Sequence, residues 1–176
     1  MRIRKATMRD ISALLELINS YAAEGVMLPR TEFEIAESLR DFTVAEREGR
    51  IIASGALHFY TPDTGEVRSV AVAPACQQSG AGRALVAALE AEARDYALDT
   101  IFAFTYVPGF FEKLGYTGVD RSELPLKAWK DCMRCPKFQC CDELAMVKHL
   151  DGREHHHREP RGEQELEAIP LPVLKS

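Results

Sequence analysis

The chain of 176 residues predicts one mixed α/β (α+β) domain, a mostly antiparallel sheet flanked by helices. Three observations carry this expectation. Two amphipathic helical stretches precede the first long strands, and three strand-like runs then follow one another through short turns. After them come a strand, a glycine-bearing loop, a long helix and another strand, the βαβ order that returns a strand parallel to its predecessor.

Residues 2–6 alternate as a short strand, and Thr7 to Asp10 offer N-caps for a helix whose apolar stripe is Ile11, Leu14, Leu15, Ile18 and Ala22. Glu24-Gly25 ends it, and Val26 to Arg30 is a loop. Thr31 and Glu34 stand at capping-box spacing before Phe33, Ile35, Ala36 and Leu39, which predicts a second helix ending near Arg40-Asp41. Strands over 42–48 and 51–60 flank the hairpin turn Glu48-Gly49-Arg50, and Thr61 to Gly65 turns into the strand Glu66–Val72. Pro74 stops that strand. A long helix then runs through Leu85, Val86, Leu89, Ala93 and Tyr96, followed by a strand at Thr100–Thr105. Phe110–Leu114 is a short helix closed by Gly115, Tyr116 to Val119 begins another strand, and Ala145 to Leu150 is the last. Residues 151–176 change character. They are polar, hold three prolines and show no sustained period, so we expect a body of residues 1–150 and a flexible tail. The tail's six acidic and four basic residues leave a net charge of −3 for the body out of −5 in all.

Composition excludes several classes. Hydrophobic residues are 46% and charged residues 28%, as in globular chains. Acidic residues outnumber Lys and Arg by 27 to 22, which argues against a nucleic-acid partner held by a general basic surface. No run approaches the ~18 apolar residues of a membrane helix, and MRIRKATMRD lacks the apolar stretch of a signal peptide. The expectation is a cytoplasmic protein acting on a small molecule.

The most informative spacing is Gln77-x-x-Gly80-x-Gly82 at the start of the long helix. Glycines there let backbone approach a ligand, and the helix start adds unpaired N–H groups and its positive dipole end, a combination suited to a pyrophosphate. The third glycine of GxGxxG is missing, and no Gly-Lys-Ser/Thr follows, so neither a dinucleotide fingerprint nor a P-loop is present. On spacing alone a plain turn remains the alternative.

Ser69-Val70-Ala71-Val72-Ala73-Pro74, then Gln77 to Leu85, then Phe110-Phe111-Glu112-Lys113-Leu114-Gly115-Tyr116, resemble the acetyl-CoA-binding core of the GNAT acetyltransferase superfamily. The resemblance covers roughly residues 2–150 and implies a splayed sheet with acetyl-CoA between the strands ending at Val72 and near Thr105. It implies a cofactor-binding set of Val70, Ala71, Val72, Gln77, Gln78, Ser79, Gly80, Ala81, Gly82 and Arg83. Backbone groups of Val70 and Val72 would pair with the pantetheine arm, and amides from Gln78 to Arg83 would hold the pyrophosphate. A narrower likeness lies in Met27-Leu28-Pro29-Arg30-Thr31, Asp41-Phe42-Thr43-Val44 and Val119 to Cys132. These resemble the acetyltransferase domain of N-acetylglutamate synthases, particularly the short single-domain kind. That likeness implies acetyl transfer to the α-amine of L-glutamate, the first step of arginine synthesis.

Such a reaction needs a base to deprotonate the incoming ammonium. Glu66, one strand step ahead of the acetyl-CoA segment, is the candidate, with a carboxylate paired to Arg68 as the alternative. Many GNAT enzymes place a tyrosine on the late helix to protonate the leaving sulfur. Phe110-Phe111 stands at that position here, and Tyr106 is the substitute candidate, or a packing residue. Glutamate's carboxylates call for cations, for which Arg30, Arg68 and Lys127 are candidates.

Cys132-x-x-Cys135 and Cys140-Cys141 are spaced as weak zinc-ligand candidates, with buried thiols or a reversible bridge as alternatives. Acetyl transfer itself requires no metal. Cys76 is read as packing, and His155-His156-His157 as adventitious metal affinity. A homodimer accords with the GNAT likeness. The rival readings are a GNAT enzyme for another amine, a polyamine or a protein N-terminus, and a non-catalytic acetyl-CoA or zinc-binding module.

Overall fold

The computed structural model describes residues 1–124 and 142–150. Seven strands form one sheet in the order β1-β2-β3-β4-β5-β7-β6: β1 Arg2–Lys5, β2 Phe42–Arg47, β3 Arg50–Phe59, β4 Thr64–Val72, β5 Thr100–Thr105, β6 Thr117–Val119 and β7 Leu144–His149. Neighbours are antiparallel except β4 and β5, which run parallel. The helices are α1 Ile11–Ala23, α2 Glu32–Glu37, α3 Ala81–Asp95 and α4 Pro108–Glu112. The mixed, mostly antiparallel sheet is the one expected, and α3 is the crossover that makes β5 parallel to β4.

Register assigns the faces. Leu57 and Val67 pack with Val86 and Leu89 of α3 and with Ile101. Ala56, one step along, packs on the other face with Leu14, Ile18 and Ile35 of α1 and α2. Because His58 pairs with Glu66 and Ala56 with Arg68, strand alternation places Glu66, Arg68 and His58 on the α1/α2 face. Lys148 ties β7 to α3 by donating to Glu90 at 2.7 Å and to the Leu114 carbonyl at 2.7 Å.

Three departures from the expected elements have local causes. The second helix stops at Glu37, and Leu39–Asp41 forms a 3₁₀ turn. The Ser38 hydroxyl donates to the Glu34 carbonyl at 2.6 Å, and Ser38 leaves helical geometry (φ −101°, ψ 17°). Its N-terminus is as read: Thr31 and Glu34 cap each other. At the hairpin, Arg47 pairs with Arg50, so the turn proper is Glu48-Gly49, both at positive φ, as a twisted two-residue turn requires. In β4, Ser69 and Val70 together face Gly55, because Ala56 pairs with Arg68 while Ser54 pairs with Ala71. Ser69 sits at φ 53° in this bulge. A methyl at Gly55 would stand 3.1 Å from Leu89 and 3.2 Å from Leu85, so the missing side chain there lets α3 approach.

Ahead of α1, Arg4 donates twice to Asp10, at 2.7 and 2.9 Å, and Thr7 adds bonds from its amide and hydroxyl to the same carboxylate. The Arg4 guanidinium, outweighing partial burial, holds the Asp10 carboxyl well below the usual carboxylate range. A carboxyl depressed in the fold stabilises it above its unfolded pKa and loses that contribution as pH falls toward the folded value. Asp10→Asn should therefore cost about 1.5–3 kcal/mol in urea unfolding at pH 7, with the gap from wild type shrinking below about pH 4.

Candidate active site

The sheet opens where its one parallel pair ends. β4 and β5 are in register over Thr64–Thr100, Gly65–Ile101 and Glu66–Phe102, and beyond that Val67–Val72 and Ala103–Thr105 part. The bulge at Ser69-Val70 bends β4 at this place. Strand edges inside the opening leave backbone groups for a ligand that runs between them.

At one end of the opening lies the glycine loop. Gln78 (φ 63°) and Gly80 (φ 84°) are left-handed, and α3 begins at Ala81. The first bond across the helix start runs from Ala84 N to Gly80 O at 3.0 Å, so the amides of Ala81, Gly82 and Arg83 lack acceptors within the helix. Gly82 is buried against Val72 and Phe110: a methyl there would lie 3.3 Å from Val72 Cγ2 and 3.5 Å from Phe110. The glycine is thus required by close packing of α3 on β4 as well as by access. Unpaired amides, the helix dipole and an open strand edge suit a phosphate head with an extended amide arm, and so fit acetyl-CoA.

Glu66 sits at the last paired position before the strands part and is buried at 8% exposure. Tyr60 donates its hydroxyl to Glu66 Oε2 at 2.9 Å, and Arg68 Nη1 lies 3.9 Å from the same oxygen. Arg68 Nη2 is 3.8 Å from Asp41 Oδ2, which lies 2.6 Å from His58 Nδ1. Glu66 is therefore paired with Arg68, and it is buried as well. Arg68 stands between two carboxylates, an orienting place for Glu66. Tyr60 is itself fixed by ring contacts with Phe102 (5.6 Å) and His58 (5.0 Å).

The other expected residues are placed as follows. Val70 and Val72 turn their side chains toward the Ala81 and Leu85 side of the sheet, while Ala71 is buried. Tyr106 follows the last residue of β5, across the opening from β4, and is half-buried. Phe111 is buried against Phe110 and Tyr116, each 5.1 Å away, so no hydroxyl stands at that position of the late helix. Arg30 is held by Asn19, whose side-chain amide accepts from Arg30 N at 2.8 Å and donates to Arg30 O at 2.9 Å. Cys76 is a free thiol packed against the cluster of Ala53, Ala81 and Leu85. Lys127, Cys132, Cys135, Cys140 and Cys141 lie outside the described residues, as does the histidine run. Among the described residues no group of three or more His, Cys, Asp or Glu is arranged to hold a metal ion, and no helix is long and apolar enough to cross a membrane.

Reading along the chain missed Tyr60, Asp41 and His58, and Arg121 as well, whose guanidinium lies 5.6 Å over Phe104 while donating to the Glu143 carbonyl. The pairing of Phe59 with Gly65 puts His58 opposite Glu66, whereas the turn expected over Thr61 to Gly65 sets Tyr60 there.

A mixed sheet parting at its parallel pair, with a helix start set against the gap, gives acetyl-CoA a place to bind, and the family match makes the protein an acetyl-CoA-dependent N-acetyltransferase of the GNAT type. The chain belongs to the acetyltransferase (GNAT) family, whose match spans residues 11–116. It is 40% identical over 148 residues to an uncharacterized N-acetyltransferase of Chlorobaculum tepidum, covering 84% of this chain and 96% of that one. It is 32% identical over 135 residues to an amino-acid acetyltransferase of Mycobacterium tuberculosis, covering 75% and 77%. Its fold matches N-acetylglutamate synthase of Neisseria gonorrhoeae, crystallised with coenzyme A and N-acetyl-glutamate, at a TM-score of 0.78 and 26% identity over 85% of this chain and 35% of that one.

Proposed function

We propose that this acetyltransferase moves the acetyl group of acetyl-CoA to the α-amine of L-glutamate by direct attack within a ternary complex. The observation that carries the reading is the buried carboxylate of Glu66 at the mouth of the β4/β5 opening, oriented by Tyr60 and Arg68. The mycobacterial relative, named for amino-acid acetylation, and the gonococcal likeness with its bound N-acetyl-glutamate support an amino acid as acceptor, glutamate first.

Each residue then has a task. Acetyl-CoA supplies the thioester carbon that the amine attacks. Val70 to Val72 and Gln77 to Arg83 hold it, with the amides of the α3 start on the pyrophosphate. Glu66 accepts the proton that turns the acceptor's ammonium into a nucleophile, directly or through water. Its burial beside Arg68 keeps it from being a plain solvated surface carboxylate. Because Arg68 is engaged by Glu66 and Asp41, it orients the base, and Arg30 takes a substrate carboxylate together with Lys127. Tyr106, which follows the last residue of β5, protonates the departing thiolate in this reading.

The test is thiol release from acetyl-CoA with a panel of acceptors. L-Glutamate should outpace aspartate, glutamine, spermidine and an N-terminal peptide by at least about tenfold in kcat/KM, the discrimination expected when a charged carboxylate meets a fixed cation. Release with spermidine or the peptide and none with glutamate would reassign the acceptor, and no release with any would favour a non-catalytic binding module.

A further inference from the structure

We infer that Tyr21 is a positioning residue of the acetyl-CoA cradle, fixing from α1 the two backbone segments that would hold the cofactor. The inference rests on the reading of residues 70–83 as that cradle. The Tyr21 hydroxyl donates to the Val72 carbonyl at 2.5 Å and accepts from Gln77 Nε2 at 2.9 Å. Those partners lie on either side of the 3₁₀ turn Pro74–Cys76, which carries the chain from the end of β4 into the glycine loop. One hydroxyl on a different element therefore sets the spacing between the strand edge and the loop.

The segment needs such a tie. Ahead of the turn Ala73 N donates to Ile52 O at 2.8 Å; beyond it the segment's other bonds are short-range: Cys76 N to Ala73 O (2.7 Å), Gln77 N to Pro74 O (3.3 Å), Ser79 N to Cys76 O (3.3 Å) and Ser79 Oγ to Cys76 O (2.6 Å). Ala73 and Cys76, the latter packed against Ala53, Ala81 and Leu85, anchor the turn, but these small rings do not fix Gln77 to Gly80 against the strand edge. It also holds Gln78 at φ 63°, a left-handed conformation that a non-glycine residue keeps only when its surroundings impose it. The residues Gln77 to Gly80 are exposed, so core packing does not supply that restraint. With the tie in place, the amides of the α3 start face one position before any ligand arrives. Without it, ordering the loop becomes part of the cost of binding. The carbonyl of Val72 has two lone pairs, so accepting from Tyr21 leaves one for an amide of the ligand.

The prediction separates cofactor affinity from turnover. Titration of the full chain with coenzyme A by calorimetry should show Tyr21→Phe binding about five- to tenfold more weakly than wild type, the loss of one to two hydrogen bonds. At saturating acetyl-CoA, its kcat and its KM for the amino acid should stay within about twofold of wild type, a split that general loosening of the fold would not produce. A thermal melt accompanies each titration. Should Tyr21→Phe fail to fold, Gln77→Leu reports instead, since from an exposed side chain it removes the Nε2 donor that binds the Tyr21 hydroxyl, the loop half of the tie, and should also weaken coenzyme A binding. A folded Tyr21→Phe, or failing that Gln77→Leu, with wild-type affinity overturns the inference. Wild-type protein that does not bind coenzyme A overturns the cradle itself and the inference with it, a result distinguishable because it needs no variant.

Discussion

Glu66→Gln should lower kcat/KM for the amino acid by roughly 10²–10⁴-fold at neutral pH, the range attributed to a positioned general base. Glutamine keeps the shape and an oxygen to accept from Tyr60, which bonds Glu66 at 2.9 Å, so the fold should survive. What it loses is the proton acceptor and the charge facing Arg68 at 3.9 Å. Removing one partner of a buried ion pair ordinarily strands the other. Arg68 retains Asp41 at 3.8 Å, so we expect the stability cost to stay near about 1–3 kcal/mol. The rate deficit should narrow as pH rises, because solvent then supplies the free amine that Glu66 otherwise generates. A deficit that is flat with pH, or under about tenfold at neutral pH, would show that Glu66 is a structural partner of Arg68.

Gly82→Glu should abolish acetyl-CoA binding, by about 100-fold or more. Three effects act in one direction. The new Cβ would stand 3.3 Å from Val72 Cγ2 and 3.5 Å from Phe110, so α3 must shift off β4. The side chain would fill the approach to the amides of Ala81 to Arg83, and its carboxylate would compete with the pyrophosphate for those donors and the helix dipole. Gly82→Ala separates the causes: it adds the packing contact without the charge and should weaken coenzyme A binding several-fold with a modest fall in Tm. Calorimetric titration of both variants with coenzyme A measures this directly. Unchanged affinity in Gly82→Glu would mean that the phosphates lie elsewhere.

The difference between what could be read along the chain and what could not follows from the range of each interaction. Thr31 and Glu34 cap a helix through contacts three residues apart, and the hairpin at Glu48-Gly49 closes by its own backbone preferences, so the cap was legible and the hairpin was legible to within one residue. The bulge was not: the alternation of Glu66-Val67-Arg68 breaks at Ser69, but only pairing with Gly55 shows Ser69 and Val70 sharing one partner. Gly55 inside a strand was the available cue. The parting of β4 from β5 after three pairs depends on that bend, and no local pattern records it. In the site, the glycine loop was a reading of residue type and spacing, and Glu66 a reading of its place one strand step ahead of the segment that carries the family resemblance. Asp41, His58, Tyr60 and Tyr21 were not, since each meets its partner across a register or from another helix. Asp41 in particular reads as a helix end, and it does end a 3₁₀ turn. Its carboxylate is nonetheless the second support of Arg68.

The most direct test of the account is a crystal structure of the full chain with coenzyme A and L-glutamate. It should show the pantetheine arm between Val70–Val72 and the end of β5, the pyrophosphate on the amides of Gln78 to Arg83, and the α-nitrogen of glutamate within hydrogen-bond reach of Glu66, directly or through one water. Coenzyme A bound outside the β4/β5 opening, or glutamate with its nitrogen turned away from Glu66 and its carboxylates far from Arg30, would contradict it.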